Sequence, residues 1–268
     1  MTSAADAATS AVQGSLYDRF RMDGMVAVVT GSGRGIGRGI ALGLADCGAD
    51  VVVTARRQDE IDAVVGEVRA RGRRALGVPG DIRDAAFVRD LVAQTVRDLG
   101  RLDVWVSNAG GSEHHGTYPT VSMPDEHWDA QLDLNLRPHF VAAKACAEVM
   151  QPGSSLIGIS STSSLGPAPN FAAYGAAKAA MNHLTRTLAV ELGPRGIRAN
   201  ALAVGIVPTE SLRTIGGITD DALPSMARSV PLGRLGEPYD VAAAVVFLAS
   251  PAGSGVSGQT LAVAGGRG

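Results

Sequence analysis

The sequence predicts an α/β protein: a parallel sheet of about seven strands, covered by helices on both faces. Three observations predict it. Short apolar runs rich in β-branched residues alternate with longer amphipathic stretches along the chain. The first of these runs passes into a glycine-rich turn that opens a helix. A length of 268 residues without a break in composition suits one unit with a sizeable core. Strands are expected near 25–30, 50–55, 74–79, 102–107, 154–160, 197–203 and 260–263. Helices are expected near 36–48, 58–71, 84–99, 125–150, 172–193, 209–229 and 238–249. Residues 1–20 are expected to form a flexible extension and 21–268 a single domain.

Taken in order, Met25-Val-Ala-Val-Val-Thr30 is the kind of run that makes a buried parallel strand. It continues into Gly31-Ser32-Gly33-Arg34-Gly35-Ile36-Gly37 and then into helical apolar spacing from Arg38. A glycine turn between strand and helix lets backbone approach a pyrophosphate, and the helix N-terminus attracts its charge. A second strand follows at Asp50–Ala55. Right-handed crossovers in such a chain give a doubly wound, Rossmann-type sheet, with ligands beyond the carboxyl ends of its strands. Thr30, Ala55, Asp81, Asn108 and Ser161 all fall at expected strand ends, so the chemistry-bearing residues gather on one rim.

Further along, Tyr174-Gly-Ala-Ala-Lys178 places a phenol and an ammonium four residues apart on one helix face. A neighbouring ammonium favours the ionised phenol, which suits proton transfer near neutral pH. Ser161 closes an apolar run thirteen residues upstream of Tyr174. Strand, loop and helix then bring two hydroxyls together, a pattern that fits carbonyl–alcohol chemistry.

These pieces resemble the short-chain dehydrogenase/reductase family, in its single-domain branch, over residues 22 to 266. The likeness lies in Thr30, Gly31, Gly35 and Gly37, in Ser107-Asn108-Ala109-Gly110, in Asn135, and in Ser161, Tyr174 and Lys178. Asn200–Gly205, Pro231–Pro238 and the ending through Gly265-Gly266 extend it. Within the family the resemblance lies between 3-oxoacyl-carrier-protein reductases and bacterial hydroxysteroid dehydrogenases. The resemblance implies an oxidoreductase for a lipophilic ketone or secondary alcohol. Tyr174 would act as acid and base, Ser161 would bond the substrate oxygen, and Lys178 would hold the nicotinamide ribose. Asn135 implies a kinked helix holding a water that relays protons to Lys178. The implied cofactor set is Gly31, Ser32, Gly33, Arg34, Gly35, Ile36, Gly37, Arg56, Arg57, Asp81, Ile82, Asn108, Ala109, Gly110, Tyr174, Lys178, Gly205, Val207 and Thr209. Asp81 has a second reading as the cap of the next helix. An NADP-binding sensor or scaffold without turnover is the competing reading, and the Tyr174–Lys178 pair speaks against it.

The end of the second strand bears on the cofactor. NAD-preferring members carry an acid there for the ribose 2′-hydroxyl. Here the position is Ala55, followed by Arg56 and Arg57, and Arg34 adds a cation from the glycine turn. Guanidinium groups bind a 2′-phosphate with parallel hydrogen bonds, so NADP is expected, with NAD as the alternative. Three departures from the family pattern stand out. Val204-Gly205 replaces Pro-Gly, which points to a looser nicotinamide-side wall; Ser107 and Ala264 replace an asparagine and an aspartate as structural changes.

Twenty-four Lys and Arg against 26 Asp and Glu, a net charge of −2, suggest neither a nucleic-acid nor a membrane partner. No apolar run reaches bilayer length, and the N-terminus lacks the features of a secretory signal. Cys47 and Cys146 are expected as free, buried thiols in a reducing cytoplasm. His114 and His115 are expected in a surface loop, with no metal site. Ala-, Leu- and Val-rich surroundings on the 125–150 and 172–193 helices call for a further apolar partner, and the resemblance implies that a second copy supplies it, as a homotetramer with a homodimer next in line.

Overall fold

The computed structural model describes residues 15–112, 117–214 and 218–267. Its seven strands are β1 (Val26–Thr30), β2 (Asp50–Ala55), β3 (Ala75–Pro79), β4 (Val104–Ser107), β5 (Ser155–Ser161), β6 (Arg198–Val204) and β7 (Thr260–Val263). All pair in parallel, in the order β3-β2-β1-β4-β5-β6-β7. Strand order therefore reverses between β1 and β4, where a crevice opens at their carboxyl ends. Every residue of β1, β4 and β6 is buried, because helices cover both faces of these three strands.

The helices are α1 (Gly35–Asp46), α2 (Gln58–Ala70), α3 (Ala85–Leu99), α4 (Asp125–Asn135), α5 (Arg137–Val149), α6 (Ala172–Leu192), α7 (Glu210–Thr214), α8 (Leu223–Arg228) and α9 (Pro238–Ala249). Residues of α1, α2 and α9 build one apolar layer with one sheet face. Residues of α3 and α5 build a second layer on the opposite face, around Trp105 and Leu156.

Three expectations are corrected. The helix expected over 125–150 is two helices, parted at Leu136, whose φ of −120° and ψ of −55° leave helical geometry. Pro138 explains the break, since it has no N–H to give the preceding turn and its ring crowds that turn's carbonyl. The helix expected over 209–229 is also broken, into α7, a 3-10 turn at Asp220–Ala222, and α8, which Pro224 opens. At the other end, Leu16–Phe20 is not loose. It forms a 3-10 turn capped by Ser15, and Arg19 donates to the Pro251 carbonyl and the Ser254 hydroxyl. Residues 1–14 and the loop histidines 114 and 115 lie outside the described residues. Both cysteines are free, Cys146 buried and Cys47 only half-buried at the end of α1.

Among the described residues no helix is long and apolar enough to cross a membrane.

Candidate active site

A cavity of about 580 Å3 runs along the carboxyl ends of the central strands. The glycine turn forms its floor. Asn108 stitches β1 to β4 there: its side-chain amide donates to the Thr30 and Gly31 carbonyls at 2.8 and 3.2 Å. The Thr30 hydroxyl in turn accepts from the backbone of Asn108 and Ala109. Gly37 sits where a Cβ would stand 2.2 Å from the Gly31 carbonyl oxygen and 2.5 Å from the Asn108 amide. Only glycine lets α1 begin that close to the turn. The N-cap of α1, Arg34, provides no side-chain cap. The first N–H groups of the helix therefore face the cavity with their positive end.

Of the residues expected at a cofactor, most line this cavity: Gly31, Gly33, Arg34, Gly35, Ile36, Gly37, Arg56, Arg57, Asp81, Ile82, Asn108, Ala109, Gly110, Gly205 and Thr209. Ser32 and Val207 do not, and both are buried. The Ser32 hydroxyl donates to Val29 and accepts from the Thr54 N–H, so it braces the turn from beneath.

Ser161, Tyr174 and Lys178 line the same cavity, at the far side from the arginines. Tyr174 and Lys178 project from one face of α6, with the lysine nitrogen 5.7 Å from the phenol ring centre. That nitrogen is buried and donates to the Ile159 carbonyl at 2.9 Å. The Ser161 hydroxyl, at the end of β5, accepts from the Ser163 N–H at 3.2 Å.

Asn135 is not on the cavity surface. It lies buried at the end of α4, where its amide donates to Gly111 and Gln131 while its oxygen accepts the Gly111 N–H at 2.9 Å. Gly110 is squeezed between that oxygen and Lys178: a Cβ there would stand 2.6 Å from one and 3.3 Å from the other. Asn135 thus fixes the loop after β4 against the lysine.

Behind this loop lies a polar network that the sequence reading missed. Trp105 donates its indole N–H to the Ser107 hydroxyl, which is 3.0 Å from Nδ1 of His139. Nε2 of His139 is 3.2 Å from the Thr185 hydroxyl, whose own proton goes to the Met181 carbonyl. These partners fix the neutral tautomer with the proton on Nε2. Burial, with the charge of Lys178 second, pushes the imidazole from 6.5 down to about 4. A histidine depressed in the folded state stabilises fully above its unfolded pKa, and that contribution is lost as pH falls from 6.5 toward 4. We expect urea stability to drop by about 3 kcal/mol across that window. His139→Gln should remove most of the slope, and an unchanged slope would exclude His139 as its source. Asp81 and Asp240 lie below the ordinary aspartate value through hydrogen bonds to Arg83 and Arg234, so their contribution is lost only at lower pH.

At the end of β2 no acid stands at Ala55, yet charges crowd the corner. Arg83, also missed from sequence, clamps the Asp81 carboxylate through Nε at 3.0 and 3.1 Å. The cap of α3 is Asp84, not Asp81. Arg57 pairs with Glu60, and Arg34 lies 3.7 Å from Glu60 and 3.4 Å from Glu210. Arg56 lines the same cavity, and its charge helps hold the Asp81 carboxyl down.

Taken together, a side-chain-free glycine turn, an open helix N-terminus, a buried lysine and a guanidinium-rich end fit a dinucleotide with two phosphates. Comparison with known proteins agrees. A family profile described as Enoyl-(Acyl carrier protein) reductase matches residues 31–267. The chain belongs to the short-chain dehydrogenase/reductase family. As a member it is an NAD(P)-binding oxidoreductase. It is 42% identical over 256 residues to an uncharacterized oxidoreductase of Mycobacterium tuberculosis, spanning 94% of this chain and 95% of that protein. It is 36% identical over 251 residues to the 7α-hydroxysteroid dehydrogenase of Escherichia coli K12, spanning 93% and 96%. A solved 7α-hydroxysteroid dehydrogenase, complexed with NADH and 7-oxo glycochenodeoxycholic acid, superposes with a TM-score of 0.87 at 36% identity, covering 93% of this chain and 96% of that one. A short-chain dehydrogenase of Burkholderia cenocepacia in complex with NADP gives 0.83 at 34% identity, covering 92% and 99%.

Two departures of this oxidoreductase from the family pattern now have physical accounts. Ser107 accepts from Trp105 and serves His139, as described. The second departure is Val204-Gly205. Val204 is buried within β6, and Gly205 donates its N–H to Val263 at 3.0 Å while lying against Ala264.

Proposed function

We propose that this oxidoreductase uses NADP(H) to interconvert a ketone and a secondary alcohol on a lipophilic substrate, hydroxysteroid-like or 3-oxoacyl-like. The observation that carries this reading is the meeting of Ser161, Tyr174 and Lys178 in one cavity with the glycine turn. Residues 21–268 act as one catalytic domain, and free thiols suit a cytoplasmic setting. A bound nicotinamide dinucleotide supplies or accepts the hydride at the substrate carbon. The chain's own residues manage the oxygen. Ser161 donates a hydrogen bond to it, Tyr174 delivers or removes its proton, and Lys178 stabilises the negative charge left on the phenol. Gly31, Gly35 and the N–H groups of α1 hold the phosphates, and Asn135 keeps the Gly110–Gly111 segment against Lys178. Half-buried Leu212, Leu223 and Met226, in the broken segment after Thr209, offer an apolar cover.

The preference for NADP rests on Ala55 and on Arg56, a guanidinium that lines the same corner and that Glu60 does not pair with. Replacing Ala55 with Asp and Arg56 with Gln should move kcat/KM toward NAD by at least about tenfold. A wild type that already prefers NAD contradicts the assignment.

Exposed Phe140 on α5 and Val190 on α6 support self-association through these helices, and the exposed Leu261 on the edge strand β7 offers a second contact. A homotetramer is the expected state, with a dimer next. Light scattering should return a multiple of the 27.4 kDa chain mass at every concentration tested. A monomer that persists at high concentration rules it out.

A further inference from the structure

Although Ala55 leaves the end of β2 without an acid, the fold returns a carboxylate to that spot from one turn into α2. Glu60 lies against the glycine turn: a Cβ on Gly33 would stand 2.8 Å from Glu60 Cβ, 3.0 Å from its Oε2 and 3.2 Å from Ala55 Cβ. The Glu60 side chain is only 14% exposed, against 59% for Arg57 and 35% for Arg34, the two arginines it pairs with. It lines the same cavity as both. A largely desolvated carboxylate therefore stands among the guanidinium groups available to a phosphate at this corner.

We propose that Glu60 is a specificity-determining residue that holds down this oxidoreductase's preference for NADP over NAD. The inference rests on the dinucleotide reading of the cavity. A 2′-phosphate entering the corner competes with Glu60 for Arg57 and Arg34 and meets like charge. A 2′-hydroxyl meets an acceptor with no such conflict. Arg56, at the mouth of the corner, keeps one cation outside this competition, so NADP still binds. Charge repulsion in a partly dry site discriminates strongly between ligands that differ by a phosphate.

The test is fluorescence titration of the full-length protein with NADPH and with NADH, on the wild type and on Glu60→Gln. Glu60→Gln should raise the preference for NADPH over NADH, as a ratio of Kd values, by at least about tenfold, mainly by tightening NADPH. Damage to the α2 start would weaken both dinucleotides together, so the ratio separates charge from structure. Should Glu60→Gln fail to fold, Glu60→Asp carries the test, because it draws the carboxylate back by one methylene and should shift the ratio the same way by a smaller factor. A ratio that stays within about twofold of wild type, or that moves toward NADH, overturns the role of Glu60 while leaving the dinucleotide reading intact. A wild type that binds neither dinucleotide overturns both.

Discussion

Tyr174→Phe should abolish turnover, by roughly 10²–10⁴-fold in kcat, while dinucleotide affinity stays within a few-fold of wild type. The phenol oxygen is the proton donor and acceptor named for the substrate oxygen, whereas the ring only lines the cavity. Its neighbour on α6 is already seated without it, since the Lys178 nitrogen donates to Ile159 at 2.9 Å. Loss of one oxygen therefore removes chemistry and leaves the cleft standing. Single-turnover assays with saturating NADPH and a reducible ketone, beside a direct titration, separate the two quantities. Activity within tenfold of wild type would sink the proton-transfer role.

Gly37→Ala should lose dinucleotide binding by about 100-fold or more and lower stability by about 1–3 kcal/mol. The added methyl would stand 2.2 Å from a backbone oxygen, which cannot swing aside as a flexible side chain can. Either α1 backs away from Gly31 or the turn opens. Both separate the helix N-terminus from the place a phosphate must sit, and both disturb the bonds Asn108 makes to Thr30 and Gly31. Titration together with urea unfolding reads both effects. Wild-type affinity in a folded variant would mean that the turn is not the phosphate floor.

How far the sequence foretold this molecule depends on whether the information was local. Runs such as Val26–Thr30 and Asp50–Ala55 are buried on both faces, so their apolar continuity marks them directly. The glycine turn, and the spacing of Tyr174 to Lys178, are legible because each works within one turn or one helix face. The breaks at Leu136 and within 209–229 were missed because apolar residues recur on both sides of them while Pro138 and Pro224 interrupt the backbone. Glu60 was invisible for another reason. In the first turn of α2 it looks like an acid placed for the helix dipole, at the edge of the stripe formed by the buried Ile61, Val64, Val65 and Val68. Only the close passage of α2 over Gly33 brings it to the cavity. His139 was missed likewise, since its partners Ser107 and Thr185 are 32 and 46 residues away.

The measurement that bears most directly on the central claim follows nicotinamide absorbance while the purified wild type meets a panel of steroid ketones, 3-oxoacyl thioesters and their alcohols, each with NADPH or NADP and with NADH or NAD. The account predicts cofactor oxidation with at least one lipophilic ketone, reversal with the matching alcohol, and higher kcat/KM for the phosphorylated cofactor. Tight binding of both cofactors with no turnover on any member of the panel would contradict it and return the protein to the class of dinucleotide-binding sensors.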